Sequence, residues 1–136
     1  MVFLSACAPA QEAPSGVVPD APIATWGWTP GQGADEALLE GELALIDGCV
    51  YVVSTGDVGG VRTLVVFPEA LASWDAVSET LTFGESDYQM GDLVAAGGGW
   101  FAPADTAVIP AACELDAYGD AMHVQDTTLE PMSQRT

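Results

Sequence analysis

The chain contains no lysine, two arginines and one histidine, set against 20 acidic residues. The formal net charge of -18 is a large field for 136 residues. It repels nucleic acid, anionic lipid and acidic substrates, so nucleic-acid binding is excluded. The missing lysine also removes a phosphate-loop reading of Gly97-Gly98-Gly99, which lacks the strand–GxxxxGK–helix setting as well. The triplet reads instead as a bulge or a close backbone approach beside Trp100. One histidine and three dispersed cysteines cannot make a zinc cluster of the common spacings. His123 has no serine in a nucleophile-elbow setting to act on, and it reads as a surface or strand residue. No run of 18 apolar residues is present to form a membrane-spanning helix. No cofactor motif is found, and no set of residues points to an enzyme.

What is present is a foldable composition, 49% hydrophobic, with 15 glycines and nine prolines that favour strands and turns over long helices. The length suits one domain with a modest core, and a monomer is the default expectation.

Leu4-Ser5-Ala6-Cys7 resembles a bacterial lipobox, the cleavage signal of secreted lipoproteins. The resemblance implies cleavage before Cys7 and a diacylglycerol on its thiol. Met1-Val2-Phe3 supplies neither a basic n-region nor a full apolar h-region, so the expectation is a true start further upstream. Residues 1–6 then read as a truncated signal-peptide remnant. The following APAQEAPSGVVPDAP carries Pro9, Pro14, Pro19 and Pro22 among small and polar residues. It cannot build a core and stays extended, as a tether would. The expected organisation is a lipidated cysteine and tether over 7–24, one β-domain over 25–130 and a tail over 131–136. A multiply acylated cysteine holds a protein firmly to a membrane, and the lipid would be the sole membrane contact.

Within the domain, Trp26 and Trp28 share one side of an extended segment and either cap the core or, if exposed, stack on a sugar. ADEALLE (34–40) predicts one or two helical turns, with Asp35 and Glu36 at the N-terminal end and Gly41 as the stop. ELALIDGCVYVV predicts a hairpin on a type I′ Asp47-Gly48 turn. Its register places Leu43, Leu45, Val50 and Val52 on one face. Ala44, Ile46, Cys49 and Tyr51 fall on the other. Both faces are largely apolar, so something must cover the second. VRTLVVF (61–67) predicts a third strand closed by Pro68. EALASW (69–74) reads as a helical turn or loop with Trp74 inward, 78–83 as a strand with Leu81 and Phe83 on one face, and 88–96 as a short strand. About five to seven short strands with tight turns predict an all-β fold, an OB-like barrel or a compact sandwich.

With Cys7 lipidated, Cys49 and Cys113 remain as an even pair, and a disulfide is expected between them. It would bring the Cys113 segment over the apolar face that needs covering. Closing a loop of about 64 residues contributes roughly 4 kcal/mol in the chain-entropy model.

Three function classes follow. A non-catalytic envelope module would bind an envelope protein or cell-wall glycan if Trp26, Trp28, Trp100 and Phe101 were exposed together, and would be structural if they were buried. A weak calcium module would need Glu85, Asp87 and Asp92 to converge, although their spacing is not that of an EF-hand. A small wall-glycan hydrolase would need two carboxylates across a cleft. The stretch from Gly41 to Gly99, carried by GELALIDGCVYVV, LVVFPEAL and YQMGDLVAAGGG with a later cysteine, is similar to small domains of actinobacterial secreted lipoproteins. That resemblance implies an extracytoplasmic β-barrel with a cysteine bridge and brings no activity with it. The first class is the expectation.

Overall fold

The computed structural model describes residues 21–55 and 60–129. Cys7, the tether up to residue 20 and the 131–136 tail lie outside the described residues.

The fold is all-β. Nine strands are described: β1 (Ala24–Trp26), β2 (Ala37–Ile46), β3 (Cys49–Val53), β4 (Arg62–Pro68), β5 (Ala72–Asp75), β6 (Thr80–Phe83), β7 (Ser86–Gln89), β8 (Leu93–Phe101) and β9 (Ala121–Val124). This exceeds the expected five to seven because two segments read as loop or single strand are paired. Residues 69–74 contribute β5, with Trp74 opposite Leu81, and 88–96 is split between β7 and β8 by a tight turn.

The hairpin forms in the register that its turn dictates. Leu43 faces Val52, Ala44 faces Tyr51, Leu45 faces Val50 and Ile46 faces Cys49. Asp47 and Gly48 both take positive φ, 50° and 86°, as a type I′ turn requires.

The larger sheet runs β1-β4-β3-β2-β8-β9, and a further parallel pairing of β4 with β9 closes it. Five strands, β2, β3, β4, β9 and β8, therefore ring an OB-like barrel. β1 is an appendage. It pairs in parallel with β4 at Val66–Pro68, just beyond the point where β3 has left β4 for its hairpin with β2.

The helical turns expected over 34–40 are absent, and these residues lead into and form the first half of ten-residue β2. Tertiary pairing overrides local propensity here. Ala37, Leu39, Gly41, Leu43 and Leu45 alternate inward, and β2 pairs with β8 from Ala37 to Glu42 before pairing with β3. Gly41 does not terminate the element. A Cβ there would collide with the Val53 carbonyl oxygen and lie 2.8 Å from a Val52 methyl, so its bare backbone lets β3 coil across β2.

The barrel interior is filled by Leu39, Leu43, Val50, Val52, Val65, Phe67, Val94, Ala96, Met122 and Val124. The β5-β6-β7 meander packs Leu81, Phe83 and Tyr88 onto the same cluster, with Phe83 5.8 Å from Phe67 between ring centroids. A second cluster lies outside the barrel on β3 and β4 and holds Cys49, Tyr51, Leu64 and Val66 with Ala24, Trp26, Trp28 and Ala121.

Gly41→Ala will destabilise the domain by roughly 2–3 kcal/mol, because backbone cannot yield as a side chain does. Gly33→Ala, whose Cβ meets nothing within 4 Å, will stay within about 0.5 kcal/mol of the parent. Urea denaturation of the two variants side by side measures the difference.

Candidate functional site

The outer face of β3 and β4 is the position of interest. In OB folds the face of barrel strands two and three, with the loops joining strands one to two and four to five, takes oligonucleotides and oligosaccharides. Counted around this barrel, those strands are β3 and β4. The two loops are the Asp47-Gly48 turn and residues 102–120 between β8 and β9.

Here the face is already occupied. The segment 102–120, a strap with little regular structure, lies over it with Ala104, Ala107, Ile109 and Cys113 packed on the outer cluster. Four sets of contacts fasten it. The first is the Cys49–Cys113 disulfide, with Cα atoms 5.2 Å apart, which ties the β2–β3 turn to the strap. This is the expected bridge, and it covers the hairpin face expected to need covering. The second is polar. The Tyr51 hydroxyl accepts a hydrogen bond from the Glu114 amide at 3.0 Å, Arg62 donates to the Glu114 carboxylate at 2.6 Å, and the Arg62 guanidinium sits 4.7 Å from the centre of the Tyr51 ring. The ion pair is solvent-exposed and adds little stability beyond fixing the geometry.

The third is a short antiparallel bridge. Thr25 and Val108 exchange both backbone hydrogen bonds, at 3.1 and 2.7 Å, and the Gly27 amide donates to the Thr106 hydroxyl at 3.0 Å. β1 is thus held between β4 and the strap, with no edge left open along Thr25. The fourth centres on His123.

His123 is on strand β9 and fully buried, which corrects the surface half of its expected placement. Its ring stacks on Phe101 at 4.0 Å and meets Trp26 edge-on at 4.7 Å. Nε2 accepts from the Ala104 amide at 3.2 Å, while Nδ1 lies 3.1 Å from the Ala121 carbonyl oxygen. A carbonyl needs a donor and an amide needs an acceptor, so the neutral ring with its proton on Nδ1 satisfies both. Burial lowers the pKa below its ordinary value of 6.5, against the Ala121 hydrogen bond and the Asp120 charge, which raise it.

The four aromatic residues considered for binding are not presented together. Trp26 and Trp28 are 8% and 7% exposed and pack in the outer cluster. Their indole N–H groups donate to the carbonyls of Val124, at 3.2 Å, and Gly33, at 3.0 Å. Phe101 is half-buried against Trp26 and His123, and Trp100 alone is well exposed, at 41%. The three acids considered for calcium do not converge, and among the described residues no three His, Cys, Asp or Glu side chains gather as a metal site. Glu85 is exposed in the β6–β7 turn. Asp87 faces outward from β7 and accepts from the Thr82 hydroxyl at 2.7 Å, while Asp92 closes the β7–β8 turn by accepting from the Gln89 amide at 2.9 Å. The glycine triplet lies inside β8, and Gly98 makes the expected close approach. A Cβ there would collide with the His123 carbonyl oxygen, so this glycine lets β9 carry His123 against β8.

No family model, curated protein or solved structure matches the chain.

Removing the disulfide by Cys49→Ala with Cys113→Ala will lower stability by about 4 kcal/mol in the chain-entropy model. The readout is urea denaturation of the oxidised parent against the double variant. The Glu114 amide, held by Tyr51 in the parent, will exchange faster with solvent in the variant.

Proposed function

We propose that this chain is a non-catalytic extracytoplasmic lipoprotein domain with a binding or structural role at the cell envelope, anchored through an acylated Cys7. The observation that carries the reading is the Cys49–Cys113 disulfide. Such bonds persist in secreted and periplasmic proteins and are rare in reducing compartments. The lipobox-like Leu4-Ser5-Ala6-Cys7 and the proline-rich stretch after it agree with export and tethering.

The covered β3–β4 face favours a structural role while the strap is closed, since the surface that OB folds use for ligands is filled by the chain itself. His123 is engaged at both ring nitrogens by backbone groups, which suits a packing residue better than a general base. An envelope protein or cell-wall glycan is the partner class that fits such a location. The charge of -18 disfavours nucleic acid and anionic lipid headgroups, leaving the acyl chains as the membrane contact.

The test is an intact mass of the protein extracted from the membranes of its native host. The expected product begins at Cys7, carries acyl chains and has Cys49 and Cys113 oxidised. A soluble product with an unmodified Cys7 and free thiols would overturn both the anchor and the compartment.

A further inference from the structure

His123 is the chain's only histidine, and the structure buries it where the strap is fastened to the barrel. No other described side chain has an ordinary pKa between pH 5 and 8, because the two described cysteines are bonded to each other. The ring is held by groups from four directions. Ala104 of the strap donates to Nε2, Ala121 of its own strand accepts from Nδ1, Phe101 of β8 stacks on one face, and Trp26 of β1 closes the edge. Val66 of β4 lies beside it in the ladder.

Protonation changes one of these contacts in kind. A proton on Nε2 turns that atom into a donor pointed at the Ala104 N–H, itself a donor. The bond is lost and a charge is left in a buried site. We propose that His123 is an acid-sensitive latch, whose protonation at Nε2 releases the 102–108 limb of the strap from the outer face of β3 and β4. The Cys49–Cys113 bond keeps the far end of the strap attached, so the opening is local and reversible.

The charges facing the ring are few. Asp120, one residue before β9, favours the protonated ring. The Asp35 carboxylate lies over Gly99, the β8 residue paired with His123. Residues 24–26 of β1, 65–68 of β4 and 101–104 carry no titratable side chain, and Asp105 follows next. The face of Phe101 also favours a cation. Burial outweighs the Ala121 hydrogen bond and the Asp120 charge and lowers the pKa.

In the open strap the ring is solvated and takes its ordinary pKa of 6.5, while the closed form holds it lower. The closed state is fully favoured above the ordinary value and loses ground as pH falls toward the depressed one. Between the two, the opening constant rises up to about tenfold per pH unit.

The experiment is amide exchange by NMR on the oxidised protein from about pH 7.5 to about pH 5, corrected for the intrinsic rate and kept above the ordinary carboxylate range. The amides of Ala104, Gly27 and Val108 report the strap, and those of the β2–β3 ladder report the barrel. The expected result is a progressive rise in opening at the three strap amides with no change in the ladder, its midpoint matching the titration of the His123 ring in the same samples. Flat protection at the strap, or strap and ladder lost together, would overturn the latch. His123→Gln retains an acceptor and a donor without a titrating charge, so its strap profile will be flat. A Gln variant with the parent's pH dependence would assign the effect to the carboxylates. Should that variant fail to fold, the parent alone decides, because a ring midpoint that does not track strap opening rejects the proposal.

Discussion

The outer side of β3 and β4 is largely apolar, and the architecture follows from covering it. A five-stranded barrel encloses little volume, and Val50, Val52, Val65 and Phe67 from these strands fill it together with Leu39, Leu43, Val94, Ala96, Met122 and Val124. Cys49, Tyr51, Leu64 and Val66 then point away from the interior and would form an exposed apolar strip. The chain covers this strip with its own segments. β1 and the residues just after it contribute Trp26 and Trp28, and the strap contributes Ala104, Ala107 and Ile109. The result is two apolar layers sharing one sheet, which raises the buried fraction that a small domain achieves.

The covering segments differ from the barrel in how they are held. Barrel strands are fixed by continuous ladders, with six residue pairs between β2 and β8 and five between β2 and β3. The strap has one bridge at Val108, a few side-chain hydrogen bonds and the disulfide. Local stability follows such differences, and elements with few backbone partners open first. This explains where the scarce polar groups are used. Arg62, one of two arginines in the chain, sits over Tyr51 and reaches Glu114 beside the disulfide, while His123 receives Ala104 at the other limb. Each meets the strap, which no ladder holds.

Legibility in the sequence tracked the distance over which each signal acts. The Asp47-Gly48 turn is local, and its chemistry alone fixed four cross-strand pairs and therefore both faces of the hairpin. The disulfide could be read one step further, since an apolar second face and an even cysteine pair pointed to the same cover. Residues 34–40 misled because Glu36, Leu38, Leu39 and Glu40 suit a helix locally. Their strand pairing depends on β8, more than 50 residues away. Gly41 misled for the same reason, since the carbonyl it makes room for belongs to β3. The acids at 85, 87 and 92 are close in sequence, but the β6–β7 and β7–β8 turns disperse them. The burial of His123 had no sequence signal. It arises only when Phe101, Trp26 and Ala104 arrive from three separate segments.

The strap also determines what it takes to reach the face it covers. A ligand for β3 and β4 would have to displace Ala104, Ala107 and Ile109, break the Thr25–Val108 bridge and do so against a disulfide that returns the strap to its place. Intramolecular tethering gives the strap an effective concentration that a free ligand of similar contact area does not match. Competition therefore favours the closed form unless the strap's own contacts weaken first. The contact most open to weakening is the one that depends on protonation state, at His123 Nε2, because the disulfide and the backbone bridge do not titrate. Access to the face is thus governed by what happens at the Ala104 limb, and the Cys113 limb sets how quickly the face is covered again.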